Sequence, residues 1–298
     1  MEKTKKFPIG SRLKTLYRIG GLVFAFLFVD VIYDQVIEPG AEEATLKRDL
    51  LKENDPNESS TSGRSVFIIL QNTEQQICAS LLLWAFLLIV EKYWFLARER
   101  QTLDMTFLQL GKGERIIPNN ALGYFRSIRQ YVDQRGGLRH RLLPQFILNA
   151  LHRFHATHSI SAVSESIQQD SEVASDQMDT DLSLIRYIGW AIPSIGFIGT
   201  VRGIGEALAQ AEQAIEGDIS GVTASLGLAF NSTLVALLFS IVLTFFVYML
   251  QSAQDNLVLR IGRYCQENLL GAMKTPVLGP EPQTAGTPPA TAPAGSLT

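Results

Sequence analysis

Residues 219–254 read ISGVTASLGLAFNSTLVALLFSIVLTFFVYMLQSAQ, a stretch without a single charged side chain. Because a helix of about 20 apolar residues crosses the hydrocarbon core of a bilayer, this stretch is long enough to span a membrane. Three shorter charge-free apolar stretches lie at 19–29, 75–90 and 187–201. This clustering excludes a simple soluble globular domain, and a net charge of −3 argues against nucleic-acid binding. We therefore predict an all-α polytopic membrane protein.

Four transmembrane helices are predicted from the apolar runs, at about 16–37, 65–96, 184–208 and 221–250. The last two form a hairpin, because only a short segment separates them. A basic leader precedes the first span, which raises the alternative of a cleaved signal peptide. We reject that alternative because the run ends in Asp30, Asp34 and Pro39 rather than in the small residues of a cleavage site.

The placement of basic residues predicts how the spans are oriented. Lys and Arg are frequent in the leader and between the second and third spans, whereas the segment after the first span is net acidic and the hairpin loop has neither. Since basic residues near span ends stay cytoplasmic, both termini should face the cytoplasm. We expect the basic side chains between Arg98 and Arg141 to be this topology signal, with an acidic partner protein or lipid headgroups as the alternative ligand.

The topology divides the chain into five predicted segments. Residues 275–298 are rich in proline and should be disordered. The leader, the extra first span and an acidic external stretch make up 1–64, and the second span is 65–98. A cytoplasmic helical region follows at 99–183. The hairpin with a cytoplasmic extension is 184–274.

Small side chains predict where the hairpin helices pack. Small residues of the fourth span recur every four positions. On the third span, Pro193, Gly196, Thr200 and Gly203 fall within about 80° of arc, and Gly199 with Gly203 adds a G-x-x-x-G spacing. Such stripes are typical of close packing in any multi-helix membrane protein. The packing residues are Pro193, Gly196, Gly199, Gly203, Ser225 and Ala229.

Polar side chains within the charge-free spans need a hydrogen-bond partner or water. These are Thr200 on the third span and Asn231, Ser232 and Thr233 on the fourth. Neither hairpin helix carries a carboxylate at its centre, and a proton or cation carrier usually needs a charged group inside the membrane. That charge would come from another subunit.

Two pairs of charged residues lie nearer the span ends. Arg202 and Glu206 are spaced i to i+4 on the third span, and Asp30 and Asp34 are spaced likewise on the first. A helix-surface ion pair explains the former and interface solvation the latter. A charged relay is the alternative function for all four residues.

Residues 181–203, DLSLIRYIGWAIPSIGFIGTVRG, resemble the corresponding helix of the MotA/TolQ/ExbB proton channel family. Residues 226–241, LGLAFNSTLVALLFSI, resemble its next helix and place Ser232 and Thr233 where that family has a polar pair. The end of the second span, IVEK at 89–92, resembles the end of the family's first core helix. The resemblance covers about 65–270.

The resemblance implies a subunit of a proton- or sodium-driven motor or stator in the bacterial inner membrane. It implies a homopentamer around two copies of a single-span MotB/TolR/ExbD-like protein whose membrane aspartate takes the ion. Thr200 and Thr233, with Ser232 and Asn231, would line the ion pathway. No enzymatic activity, metal or cofactor is expected beyond the transported ion.

The chain departs from that family's pattern at some positions. Transport-type members carry a glutamate five residues before the second threonine, where this chain has Leu228. The extra first span is similar to flagellar stators, whereas the end of the second span is similar to the transport branch. The machine that is driven, and the choice between proton and sodium, stay open.

Two other functions remain alternatives. A passive oligomeric scaffold would use the hairpin for assembly without ion flow, and a self-sufficient channel would conduct through Asp30 or Glu206. A metal site at His152, His155 and His158 is disfavoured, because their spacing spreads them over about 120° of a helix. Cys78 and Cys265 do not indicate a disulfide framework.

Overall fold

A computed structural model describes residues 9–54, 66–70, 72–105, 107, 114–215 and 217–274 of the chain. The regular structure there is helical, apart from one isolated bridge between Ile116 and Met273. Four of the helices are long and apolar enough to cross a membrane. The predicted all-helical architecture with four such helices is thereby confirmed, while the prediction for the 275–298 tail lies outside the described residues.

The chain forms two compact units. The first consists of Met1–Met105 with Ser171–Ile261, and the second of Thr106–Asp170 with Gly262–Thr298. All four apolar helices contribute to the first unit. The end of the predicted segment 184–274, from Gly262 onward, belongs to the second unit.

The first apolar helix continues further than its predicted end at residue 37. Helix α1 (Ile9–Ile32) passes through a π-helical segment (Tyr33–Ile37) into α2 (Glu38–Asn54). Pro39 lies at the start of α2, where it removes a backbone donor and crowds the carbonyl four residues before it. That carbonyl belongs to Gln35, inside the wider π-helical turn, which gives a physical reason why the helix is not broken there.

The second apolar helix begins later than predicted. A short helix, α3 (Val66–Ile69), precedes α4 (Thr73–Leu103). Asn72 has an extended backbone, and its N–H donates to the Gln75 side chain at 3.2 Å. A bond from the N-cap backbone to an N3 side chain is typical of a helix N-terminus, so it sets the start of α4 at Thr73 rather than near residue 65.

The hairpin consists of two helices longer than a bilayer requires. Helix α7 (Ile160–Ala209) contains the predicted span 184–208, and α9 (Ser220–Tyr264) contains the span 221–250. A short helix, α8 (Ala211–Ile215), lies in the connection. Pro193 lies inside α7, within the part predicted to cross the membrane.

Helices α4, α7 and α9 share the apolar core of the first unit. Buried side chains from all three meet there, among them Leu88, Ile192 and Leu243. Helix α1 packs on α4 through a smaller cluster that contains Val29. In the C-terminal half of α4, Lys92 forms an ion pair with Asp181 of α7. The three core helices thus share apolar packing, and the Lys92 to Asp181 ion pair joins two of them, α4 and α7.

The second unit contains the helical pair α5 (Pro118–Gln134) and α6 (Leu142–Thr157). Its core is apolar, with Leu143, Ile147 and Phe154 fully buried. The segment that follows α9 joins it, because the Ile116 N–H donates to the Ala272 carbonyl at 2.9 Å. The exposed side chains include basic residues of the segment predicted to mark the cytoplasm, namely Arg126, Arg129, Arg135 and Arg139.

Candidate functional site

Two threonine hydroxyls meet where α7 and α9 touch. The side chains of Thr200 and Thr233 are hydrogen-bonded to each other. Thr200 Oγ1 also lies 3.1 Å from the Ala229 carbonyl oxygen, and Thr233 Oγ1 lies 3.0 Å from that of Gly196. Each hydroxyl has one proton to donate, so two protons are shared among several acceptors. The two predicted pathway threonines therefore form one hydrogen-bonded pair.

The close approach of the two helices explains why the hydroxyls can reach each other. A methyl group on Gly203 would lie 2.7 Å from the Ala229 Cβ and 3.1 Å from the Ser225 carbonyl oxygen. A methyl group on Gly196 would clash with the Ala236 side chain. The glycines that were predicted to pack thus lie directly against small residues of α9, as close backbone contact between membrane helices requires.

Pro193 leaves a backbone carbonyl of α7 available to a hydrogen-bond donor from α9. A proline lacks the N–H that would normally donate to the carbonyl four residues before it, here that of Gly189. The Ser240 hydroxyl of α9 donates to the Gly189 carbonyl oxygen at 2.9 Å. Ser240 therefore supplies from the neighbouring helix the donor that α7 cannot provide, as backbone groups within a membrane require.

Ser232 belongs to a second hydrogen-bonded group beside the threonine pair. Its hydroxyl donates to the Leu228 carbonyl at 3.1 Å and accepts from the Asn72 amide of the α4 N-terminus at 3.0 Å. Asn231 is buried on the same turn of α9, with 8% of its surface exposed. The assignment of Ser232 and Asn231 to an ion pathway stays a prediction.

Sequence reasoning missed Glu74, a buried carboxylate in the first turn of α4. Only 7% of its surface is exposed, and its Oε1 lies 2.8 Å from Nη1 of Arg202. A signal was present, since Glu74 directly precedes the charge-free run 75–90. That position suggested an end of a span, however, where water would solvate the group, and it did not reveal the burial against α7.

The predicted pair of Arg202 and Glu206 forms, but it is part of a larger group. The Arg202 Nε lies 3.4 Å from Glu206 Oε1, a longer contact than the one to Glu74. Arg202 and Glu206 each leave about half of their side chains exposed, 50% and 51%. The guanidinium therefore lies between one buried and one solvated carboxylate.

The other predicted relay residues lie on the first apolar helix. Asp30 of α1 accepts a hydrogen bond from the Gln76 amide at 2.8 Å, and Asp34 lies in the π-helical segment. Among the residues that the structure describes, no hydrogen bond or ion pair joins either aspartate to the hairpin. A relay that links them to the threonine pair is therefore not formed by direct contacts.

Comparison with known proteins gives a match over the part of the chain that contains this site. Residues 139–262 match the model of the MotA/TolQ/ExbB proton channel family. The match includes Thr200, Thr233 and the whole close contact of the hairpin, and it confirms the resemblance that was predicted from residues 181–203 and 226–241. No curated protein and no solved structure matches the chain.

Proposed function

Since residues 139–262 match a proton channel family rather than an enzyme class, we propose that the chain is the ion-conducting subunit of a membrane motor. The observation that carries the proposal is the hydrogen-bonded pair of Thr200 and Thr233, in charge-free segments of two packed helices. The ion, a proton or a sodium ion, passes this pair. Ion flow then drives rotation of, or force on, a partner.

The chemistry of the pair suits this role. A hydroxyl both donates and accepts hydrogen bonds, so it can bind a carboxyl group, a water or a passing cation. In the structure the two hydroxyls bond to each other and to carbonyls of their own hairpin. A group that enters beside them replaces the hydroxyl to hydroxyl contact while the carbonyl contacts remain. The exchange therefore leaves no buried polar group unpaired.

The charged group at the centre of the pathway comes from a partner. Within charge-free residues 187–201 and 219–254 the hairpin has no carboxylate of its own. We propose a homopentamer around two copies of a single-span MotB/TolR/ExbD-like protein whose membrane aspartate faces Thr200 and Thr233. Large apolar side chains on the hairpin surface support burial in lipid or against neighbours, since Trp190, Phe197 and Ile241 are each more than 60% exposed.

The proposed location is the bacterial inner membrane, with both termini in the cytoplasm. The four apolar helices support a multi-pass protein, and the distribution of basic residues supports this orientation. On this topology the second unit is cytoplasmic. Its exposed basic side chains, among them Arg126 and Arg139, form a candidate surface for an acidic partner protein.

Valine substitutions test the proposal, because valine keeps the shape of threonine and removes the hydroxyl. The complex is purified with its partner and reconstituted into vesicles, and ion flux is followed with an ion-sensitive dye. Thr200→Val and Thr233→Val should each assemble normally and lose flux. Thr223→Val is the matched control, since the Thr223 hydroxyl is exposed and donates to the carbonyls of Ile219 and Ser220, four and three residues earlier in the chain.

The alternative functions predict other results. A passive scaffold assembles and works normally with both valine substitutions. A self-sufficient channel through Asp30 or Glu206 conducts without the partner, whereas the proposed motor subunit is silent alone. Native mass spectrometry of the gently extracted complex establishes which assembly is present and identifies any small single-span protein that co-purifies.

A further inference from the structure

An open apolar groove lies between α1 and α4 in the first unit. Its volume is about 330 Å³. Two glycines and two aromatic side chains of α1 line it, together with Trp84 and two leucines of α4. The α1 residues are Tyr17, Gly20, Gly21 and Phe24, which share one face of the helix. From Tyr17 to Phe24 the groove follows α1 for about 10 Å, at about 1.5 Å per residue.

The two glycines keep the groove open, and Trp84 gives it a fixed wall. A methyl group on Gly20 would meet nothing within 4 Å, whereas one on Gly21 would lie 3.6 Å from Cδ1 of Trp84. The Trp84 indole N–H donates to the Arg18 carbonyl at 3.0 Å, so a hydrogen bond holds the ring against α1. The space beside Gly20 is therefore created by an absent side chain, next to a tryptophan ring that is held in place.

The surroundings of the groove require an apolar occupant. Most of its lining lies in the charge-free runs 19–29 and 75–90, on helices that are long and apolar enough to cross a membrane. An empty groove forfeits the dispersion contacts of the side chains that line it. A neighbouring helix does not fit, because about 10 Å of a helix, itself about 10 Å wide, occupies roughly 800 Å³. A single acyl chain of a lipid is narrow enough.

The sequence before the groove is strongly basic. Residues 1–18 contain six Lys or Arg and one Glu. Arg18 follows Tyr17 at the N-terminal end of the groove, is partly buried, and forms no ion pair with any residue that the structure describes. Arg side chains near the end of a membrane helix extend to the interface, and basic clusters beside such a helix attract anionic lipids. The apolar groove and the unpaired cation thus match the two parts of one anionic phospholipid.

We propose that this groove binds one anionic phospholipid. An acyl chain lies along Gly20 and Gly21 against the Trp84 ring, and the Arg18 guanidinium donates to the phosphate. A guanidinium suits this partner, because its N–H donors match the geometry of phosphate oxygens. Binding is non-covalent and needs α1 and α4 to lie in a membrane, but it does not need ion conduction. The site therefore goes beyond the proposed function, and it stands whether or not the hairpin conducts ions.

Fluorescence quenching by brominated lipids measures binding at Trp84. The chain has three tryptophans, so the full-length protein carrying Trp94→Phe and Trp190→Phe reports on Trp84 alone. It is reconstituted into phosphatidylcholine vesicles with a rising fraction of phosphatidylglycerol, and the acyl chains of one or the other lipid carry the bromine. The attraction of one basic side chain for an anionic lipid corresponds to about fivefold tighter binding. Trp84 should therefore report about a fivefold preference for phosphatidylglycerol over phosphatidylcholine.

Two variants separate the two parts of the site. Gly20→Leu fills the groove from a position where an added Cβ meets no neighbour, so it should reduce quenching by both lipids. Arg18→Gln leaves the groove intact and should remove the preference for phosphatidylglycerol. The matched controls are Val23→Leu, at an exposed position of α1 outside the groove, and Arg126→Gln in the second unit. Both controls should quench like the parent protein.

Native mass spectrometry of the gently extracted protein gives a second readout. The wild type should retain an anionic phospholipid, and Gly20→Leu and Arg18→Gln should each retain less of it. Gly20→Ala adds only one methyl group, so it replaces the leucine variant if that variant does not fold. It should show part of the same loss.

Other occupants of the groove give different results. If a second copy of the chain covers it, neither brominated lipid quenches Trp84 and no lipid is retained, which overturns the proposal. Equal quenching by the two lipids in the parent protein overturns it as well, because the groove then contacts only bulk lipid. A preference that survives Arg18→Gln contradicts the assignment of phosphate binding to Arg18.

Discussion

The Ser240 to Gly189 hydrogen bond allows a quantitative prediction about how the hairpin tolerates a proline. Ser240→Ala removes the hydroxyl that donates to the Gly189 carbonyl at 2.9 Å. Interhelical hydrogen bonds in membrane proteins contribute about 0.6 kcal/mol on average and up to about 1.7 kcal/mol. Because Pro193 removes the helical donor to the same carbonyl, the upper part of that range applies. We expect Ser240→Ala to lower the free energy of unfolding by about 1 to 1.7 kcal/mol.

The same substitution made in a Pro193→Ala variant shows whether the effect depends on the proline. In Pro193→Ala the new N–H supplies the helical hydrogen bond to Gly189, so removal of the Ser240 hydroxyl should cost less than about 0.5 kcal/mol. The difference between the two backgrounds is a coupling free energy of about 1 kcal/mol.

The assay is unfolding of the purified protein in detergent, for the wild type, both single variants and the double variant. Ser194→Ala is the matched control, since the Ser194 hydroxyl donates to the Trp190 carbonyl of its own helix at 3.0 Å. It should show no coupling to Ser240→Ala. An equal cost of Ser240→Ala with proline and with alanine at position 193 would refute the reasoning, because the hydroxyl would then not compensate for the missing N–H.

Further predictions concern helix packing and a titratable side chain. Gly203→Ala places a methyl group 2.7 Å from the Ala229 Cβ, so it should destabilise the hairpin by about 1 to 3 kcal/mol in the same unfolding assay and lower ion flux. Gly205→Ala is the control, because the space around Gly205 is open. It should be neutral or stabilise the protein by up to about 1 kcal/mol. In the second unit, a hydrogen bond to Glu114, burial and the Glu114 charge raise the pKa of Tyr124 to about 12 from its usual 10.0. The stabilisation from this hydrogen bond is therefore complete below pH 10.0 and is lost as the pH rises through about 12. A difference ultraviolet titration of the wild type against Tyr124→Phe measures the pKa of Tyr124. Ionisation of Tyr124 near pH 10.0 would contradict the pairing with Glu114.

The sequence predicted the parts of the structure that depend on local pattern. Long charge-free runs must be helical if they lie in a bilayer, because only a helix satisfies all backbone groups within one segment. The four apolar helices were predicted for this reason. The spacing of Gly196 and Gly203 likewise predicted the face on which α7 meets α9, since the two positions share one side of a helix.

The remaining features depend on contacts between segments that are distant in the chain. The burial of Glu74 requires the first turn of α4 to lie against Gly199 of α7, which periodicity within α4 does not show. The pairing of Ser240 with Gly189 joins residues 51 positions apart. The continuation of α1 through Pro39 depended on a π-helical turn that has no sequence pattern of its own.

Ion flux through paired serine and valine variants tests the central proposal most directly. Replacing both Thr200 and Thr233 by serine keeps the two hydroxyls and removes a methyl group from each, whereas replacing both by valine keeps the methyl groups and removes the hydroxyls. In vesicles that contain the assembled complex, we predict that the double serine variant conducts and the double valine variant does not. Equal conduction by the two variants would contradict the assignment of the threonine pair to the ion pathway.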